Sequence, residues 1–285
     1  MQHAPDIWFP NLGIELANIS RTAISIFGFH IYWYAILIIL GILAGYYAAV
    51  VEAKRTGQKK EIYMDLLIVG VISAFIGLRL FFVAFNWEFY RDDPLLIITG
   101  IRGGGLAIFG GIIGAVTAAF VFCKVRKLNM GVVFDTAGPS LALGQAIGRW
   151  GNFFNREAFG GFTDNLLAMR IQLGQVGGPV TPELLAQSVL ERGAEYIQVH
   201  PTFLYESIWN LGLFILLVLY RPRKKFGGEV FWLYLLGYGF GRFFIEALRT
   251  DQLMWGNMPV SQAMAALICV GAALVISLVR LRKRG

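Results

Sequence analysis

The sequence predicts an all-α integral membrane protein of seven transmembrane helices, with a small exterior head inserted between the fourth and fifth, in one membrane-embedded domain over 1–285. Three observations carry that expectation. The chain is 56% hydrophobic with a mean hydropathy of +0.61, too apolar for a protein that must keep its whole surface wet. Seven windows hold the roughly 20 apolar residues that a span requires, at 30–51, 62–85, 104–123, 132–153, 202–220, 229–248 and 259–280. Lys and Arg gather behind the first, third, fifth and seventh windows, and a chain with alternate basic connections has those connections inside. The N-terminus and the head are therefore expected outside and the C-terminus in the cytoplasm.

Met1 to Asp6 contains no basic stretch ahead of an apolar core, so the first span is read as the targeting signal rather than as a cleaved leader. Lys54-Arg55 and Lys59-Lys60 close it, and the second span carries Asp65 and Arg79. An outer connection from Asn86 to Gly103, with Trp87, Tyr90 and Pro94, leads to the third span and its basic end at Lys124-Val125-Arg126-Lys127. The fourth span holds Asp135 and Arg149 and runs into the head, residues 158–199. Within the head, Thr181 is placed to cap a helix starting at Pro182, Gly193 to close it after Arg192, and the Gly-rich stretch before it to form loop or short strand. The fifth span ends in Arg221 to Lys225, the sixth carries Arg242, Glu246 and Arg249, and the seventh ends in Arg280 to Arg284.

The net charge of +7 does not indicate nucleic acid, because 15 of the 25 Lys and Arg lie in those four clusters and so serve topology. Cys123 and Cys269 sit in apolar segments far apart and are read as small buried hydrophobes. No metal ligand set and no cofactor motif is present, and there is no internal repeat with a period of 20–50 residues.

An ionisable side chain near hydrocarbon costs at least about 2.5 kcal/mol, so Arg149 calls for a partner or a ligand. Around it Gly148, Gly151 and Gly160 let backbone or ligand come close, and Asn152, Asn155 and Glu157 add polar atoms within two helical turns. Tyr238, Arg242, Glu246 and Arg249 follow spacings of four, four and three, hence share one helical face that must point inward. Arg242 and Glu246 can satisfy one another, and Glu246, Asp65 and Asp135 are read as structural partners. Two arginines from different spans, Arg149 and Arg242, suit a phosphate, since a guanidinium stays charged and bonds two oxygens at once. Phosphate at that depth belongs to a phospholipid headgroup. Phe109, between Gly105 and Gly110-Gly111, is read as an apolar wall that small neighbours open to a lipid.

The run Gly148-Arg149-Trp150-Gly151-Asn152-Phe153-Phe154-Asn155-Arg156-Glu157-Ala158-Phe159-Gly160 resembles the signature of the bacterial prolipoprotein diacylglyceryl transferase family. Further motifs agree in order: Trp33-Tyr34, Gly77 to Phe82, Gly104 to Gly111, His200 to Glu206, and Gly237 to Arg242 with Glu246 and Arg249. The resemblance implies an enzyme of the bacterial cytoplasmic membrane that transfers diacylglycerol from phosphatidylglycerol to the lipobox cysteine of a prolipoprotein signal peptide, releasing glycerol phosphate. In that reaction Arg149 would hold the lipid phosphate, Arg242 would stabilise the charge that develops as the C–O bond breaks, and Asn152 would bond a phosphate or glycerol oxygen. Tyr34 and Tyr238 would orient the headgroup, with Gly160 and Gly105 beside the lipid. The family usually has a histidine just before the second Gly-Gly of the third-span motif and an acidic residue before the first, where this chain has Phe109 and Gly103. Phenylalanine takes no proton, so Glu157 at the water interface becomes the candidate acceptor. His200 is read as a helix-start device, and His3 and His30 as interfacial. An anionic-lipid transporter could use the same arginines, though an odd number of spans without repeated halves argues against it. A catalytically silent lipid-binding homologue is the reading that Phe109 alone would motivate.

Overall fold

The computed structural model describes residues 4–283, the side chain of Arg102 and the exposure of Gly103 excepted; His3 and the terminal Arg284-Gly285, with the expectations placed on them, lie outside the described residues. Four short strands come first, β1 (Ile7–Phe9), β2 (Ile14–Leu16), β3 (Thr22–Ile26) and β4 (Phe29–Tyr32). They lead into α1 (Trp33–Arg55), α2 (Glu61–Phe85), the short α3 (Trp87–Tyr90) and α4 (Leu96–Thr99), α5 (Ile108–Val125) and α6 (Met130–Asn155). The head contributes β5 (Met169–Gln172), α7 (Pro182–Ala186), β6 (Val189–Glu191) and β7 (Ala194–Val199). The chain then runs through α8 (Thr202–Tyr220), α9 (Glu229–Leu248), β8 (Met254–Trp255), β9 (Met258–Pro259) and α10 (Val260–Arg282).

Among the described residues, five helices, α1, α2, α5, α8 and α10, are long and apolar enough to cross a membrane. Large apolar side chains such as Ile39, Ile72, Leu80, Leu216 and Leu274 stand exposed along them, as a lipid-facing surface requires. The protein is thus a mostly helical integral membrane protein. Helices α6 and α9, of 26 and 20 residues, match the length but are diluted by the polar groups that matter below. Cys123 is buried and Cys269 half-buried, both as free thiols.

The all-α expectation needs correction. A five-stranded antiparallel sheet of order β2-β1-β5-β7-β6 forms the head, so the N-terminal arm completes a fold expected from 158–199 alone. Its inner face carries Ile7, Phe9, Ile171, Ile197 and Val199, packed with Phe153, Phe159 and Phe203. Thr181 does cap α7, accepting from the Leu184 amide at 3.4 Å with Pro182 in the first turn. Gly193, however, closes no helix. Arg192 (φ 53°) and Gly193 (φ 80°) form the two-residue turn between β6 and β7, the left-handed pair that a tight hairpin favours. Phe27 (φ 49°) and Gly28 (φ 82°) do the same between β3 and β4, which is why α1 begins at Trp33 rather than at residue 30.

Two compact units divide the chain, one of residues up to Gly45 together with Ala137 onward, the other Tyr46–Thr136. In the second unit α2 and α5 cross with their backbones nearly touching. A Cβ on Gly77 would fall inside contact distance of the Gly110 carbonyl oxygen, one on Gly110 would do the same to Gly77, and one on Gly114 to Ser73. Helices associate this closely in lipid because small residues give the van der Waals contact that no hydrophobic drive supplies there. Gly77→Ala is expected to lower stability by about 1–3 kcal/mol, measured as the unfolding midpoint in detergent micelles, because the obstruction is backbone and has no rotamer to yield. At the end of α2, Arg79 is buried and donates to the carbonyls of Leu96, Ile97, Gly104 and Gly105 at 2.8–3.2 Å, so it folds the outer connection back onto the helix. Asp65 is paired with Arg126 at 2.9 Å, in line with its structural reading.

Candidate functional site

In the larger unit, two hydrogen-bond stitches set the helix faces. Trp150 Nε1 of α6 donates to Ser207 Oγ of α8 at 3.1 Å, and Ser207 in turn to the Ala146 carbonyl at 2.8 Å. Trp209 Nε1 of α8 donates to the Gly237 carbonyl of α9 at 2.9 Å, its ring seated where Gly241 has no side chain. The residues that flank these stitches are Arg149, Glu206 and Arg242, and they meet.

Arg149 Nε and Arg242 Nη1 each contact one oxygen of the buried Glu206 carboxylate. The other edge of Arg242 reaches Glu246 Oε2 at 2.5 Å, one turn along α9. Arg249 Nε lies 3.9 Å from that same oxygen, while its guanidinium bonds both oxygens of Asp251 at 2.7 and 2.9 Å. Three arginines and three carboxylates thus alternate in a chain from α6 to the end of α9. Burial at such a pair is tolerable only where the Coulomb partner is in place.

A polar spur leaves the cluster toward the head. Arg149 Nη1 donates to Asn152 Oδ1 at 3.4 Å, and Asn152 Nδ2 and Asn155 Nδ2 both donate to Glu157 Oε1 at 3.0 Å. Glu157 sits between two left-handed non-glycine residues, Arg156 (φ 53°) and Ala158 (φ 56°), a conformation that persists only where surroundings impose it. Arg156 imposes it: buried, it donates to the Ile19 carbonyl and lies 3.7 Å from Asp6, tying the end of α6 to the N-terminal arm.

The other expected residues fall in three groups. Tyr34 packs on α6, where a Cβ at Gly151 would stand 2.6 Å from its ring, between the turns that carry Arg149 and Asn152. Tyr238 is one turn below Arg242 and stacks on Tyr234 with ring centroids 5.9 Å apart. Gly160 is buried and serves the chain itself, its amide donating to the His200 carbonyl at 3.0 Å and the site of its missing Cβ 2.7 Å from the Leu248 oxygen. Gly105 and Phe109 belong to the other unit, Gly105 (φ 75°) against the Arg79 guanidinium and Phe109 half-buried in the first turn of α5.

Glu206 received no role from sequence reading although it stands in an apolar span, where the cost of burial that singled out Arg149 applies equally. That rule was its signal. His200 lies just before Pro201, the N-cap of α8, which has no side-chain cap; its carbonyl accepts from Gly160 and Thr202 and its Nδ1 lies 3.2 Å from the Tyr205 hydroxyl. Burial holds its pKa below the usual value. The unfolded chain then takes up the proton first, so stability is complete above a pH of about 6.5 and declines as pH falls below it. His200→Gln is expected to lose less stability than the parent between about pH 6.5 and 5, read from unfolding midpoints across that range.

The sequence matches the family profile described as prolipoprotein diacylglyceryl transferase over residues 21–278. Proteins named phosphatidylglycerol–prolipoprotein diacylglyceryl transferase are similar along nearly the whole chain. One from Bacillus cytotoxicus is 41% identical, covering 92% of this chain and 93% of its own. One from Bacillus cereus is 41% identical over 95% of both, and one from Clostridioides difficile 39% identical over 93% of this chain and 96% of its own. The ordered motifs, the ionic cluster they build and a match spanning most of the chain agree, and the protein belongs to the prolipoprotein diacylglyceryl transferase family.

Proposed function

We propose that the protein transfers the diacylglyceryl group of phosphatidylglycerol to the lipobox cysteine of a prolipoprotein. The observation that carries the reading is the convergence of Arg149 and Arg242, from two helices, on the single carboxylate of Glu206. One carboxylate presents two oxygens to two guanidiniums, which is also what a phosphodiester presents. Glu206 therefore spaces the two cations for a phosphate.

In the reaction the cysteine thiolate attacks the glycerol carbon bonded to the phosphate oxygen. A C–S bond forms, the C–O bond breaks, its electron pair stays on the phosphate oxygen, and glycerol phosphate leaves. The thiol has a pKa near 8.5, and a neighbouring cation lowers it. Arg149 holds the phosphate throughout; Arg242 stabilises the charge that builds on the leaving oxygen. Asn152 bonds a phosphate or glycerol oxygen, Tyr34 and Tyr238 orient the headgroup, and Glu157, gathered by two amides, accepts the thiol proton. Phe109 and Gly105 line the lipid as apolar wall, and because Phe109 takes no proton the reaction runs without a histidine base there. We place α6 and α9 across the bilayer beside the other five helices, in one domain with the 158–199 head and N-terminus outside and the C-terminus in the cytoplasm.

The test is the mass of a lipobox peptide incubated with purified protein and phosphatidylglycerol. A gain of one diacylglyceryl group on cysteine, with free glycerol phosphate, is expected; no gain overturns the reading. For orientation, a cysteine at Gln187 should react with an impermeant thiol reagent on intact cells and one at Lys225 should not.

A further inference from the structure

Within the second unit a crevice of about 470 Å³ opens between the C-terminal half of α1 and the first turn of α2. Tyr46, Tyr47, Val50 and Met64 wall it, and Lys54 and Lys60 stand at its mouth. Its size is within the range that holds a small ligand or part of a larger one. The charge at the mouth is not self-compensating. Glu52 is engaged by two nitrogens of Arg55 at 2.6 and 2.8 Å, and Asp65 by Arg126 at 2.9 Å. Neither Lys54 nor Lys60 has an ion-pair partner among the described residues. Glu61 offsets one charge, so Lys54 and Lys60 leave a surplus of one, with Lys59 next to them in the chain.

The walls and the mouth ask for different halves of one molecule. Tyr46 or Tyr47, Val50 and Lys54 follow one face of α1, so the apolar wall continues from the lysines toward the middle of the helix. Residues on neighbouring faces, Val51, Ile68 and Val69, are exposed as lipid-facing residues are, and so is Tyr47, deeper along α1. A free phosphate or nucleotide would use the lysines and leave the apolar wall empty. We infer that this crevice seats an anionic phospholipid, its phosphate between Lys54 and Lys60 and the start of an acyl chain along Val50 and Met64. The crevice is at the opposite end of α1 from Tyr34, so this lipid is a bound structural ligand and not the transferred one.

The experiment uses the whole protein in mixed micelles with a photoactivatable phosphatidylglycerol carrying its reactive group near the headgroup, and maps the labelled peptide by mass spectrometry. Label within 46–65 is expected, reduced on the order of 30-fold in Lys54→Gln/Lys60→Gln, since each basic residue near an anionic lipid contributes about fivefold. The double variant should keep its unfolding midpoint without added lipid and its transfer activity. Label absent from 46–65, or undiminished in the double variant, overturns the inference. So does equal competition by phosphatidylcholine, which means charge is not read. Displacement by millimolar inorganic phosphate assigns the lysines to a free anion and overturns the lipid.

Discussion

Arg242→Ala is expected to lower the rate of diacylglyceryl transfer by about 10²–10³, the loss on the proposed reading of one charge-assisted donor to a developing oxyanion, equivalent to roughly 2.7–4 kcal/mol of barrier. Arg242→Lys does not restore it. Arg242 uses two edges at once, one on Glu206 of α8 and one on Glu246 of its own helix. An ammonium is a point charge and can satisfy only one of those positions at full strength, so either the phosphate or the helix pairing is lost. Single-turnover modification of the lipobox peptide measures the chemical step, and the unfolding midpoint measured alongside separates loss of chemistry from loss of fold. A change below about threefold with the fold intact removes Arg242 from the chemistry.

Glu206→Ala is expected to cost about 3–5 kcal/mol of stability, because it leaves two largely buried guanidiniums facing each other without their common counter-ion. Glu206→Gln costs less, since the amide oxygen still accepts from one of them. The discriminating measurement is a double-mutant cycle with Arg149→Ala, read by reversible unfolding in micelles. Glu206→Ala/Arg149→Ala should cost clearly less than the sum of the single changes, the excess being the coupling between the two groups. Additive costs would mean that Glu206 is held by packing alone.

Both experiments depend on a residue that sequence reading passed over, and the reason is physical. Hydropathy and loop charge are local sums, and they located the long helices well: α8 and α9 begin and end where their windows do. Inward faces were legible too, since Tyr238, Arg242, Glu246 and Arg249 repeat with the helical period. What joins one helix to another is not written in any one window. The partner of Arg149 is 57 residues away, and the Trp150–Ser207 stitch and the packing of Phe203 on Trp150 and Phe153 bring it there. The head sheet was hidden for a like reason. Strand β1 is three residues long, too short for a period of two to register, and its central partner β5 lies more than 150 residues on. The end of β4 falls inside the first window because Ile31 and Tyr32 continue its apolar run. Asn152 and Glu157 were found because they lie within a turn or two of Arg149; Phe109 and Gly105 were judged on small neighbours alone and lie in the other unit.

The crossing of α2 and α5 has a genetic consequence. Second-site suppressors ordinarily work by shortening a side chain that a mutation has made collide with. At Gly77 the atom in the way is the carbonyl oxygen of Gly110, and at Gly110 it is the carbonyl oxygen of Gly77. Neither residue has a side chain left to remove. A selection for revertants of Gly77→Ala should therefore return the glycine codon itself or changes that raise stability elsewhere, and no compensating substitution at Gly110, so this pair should resist drift for the sake of the helix crossing alone.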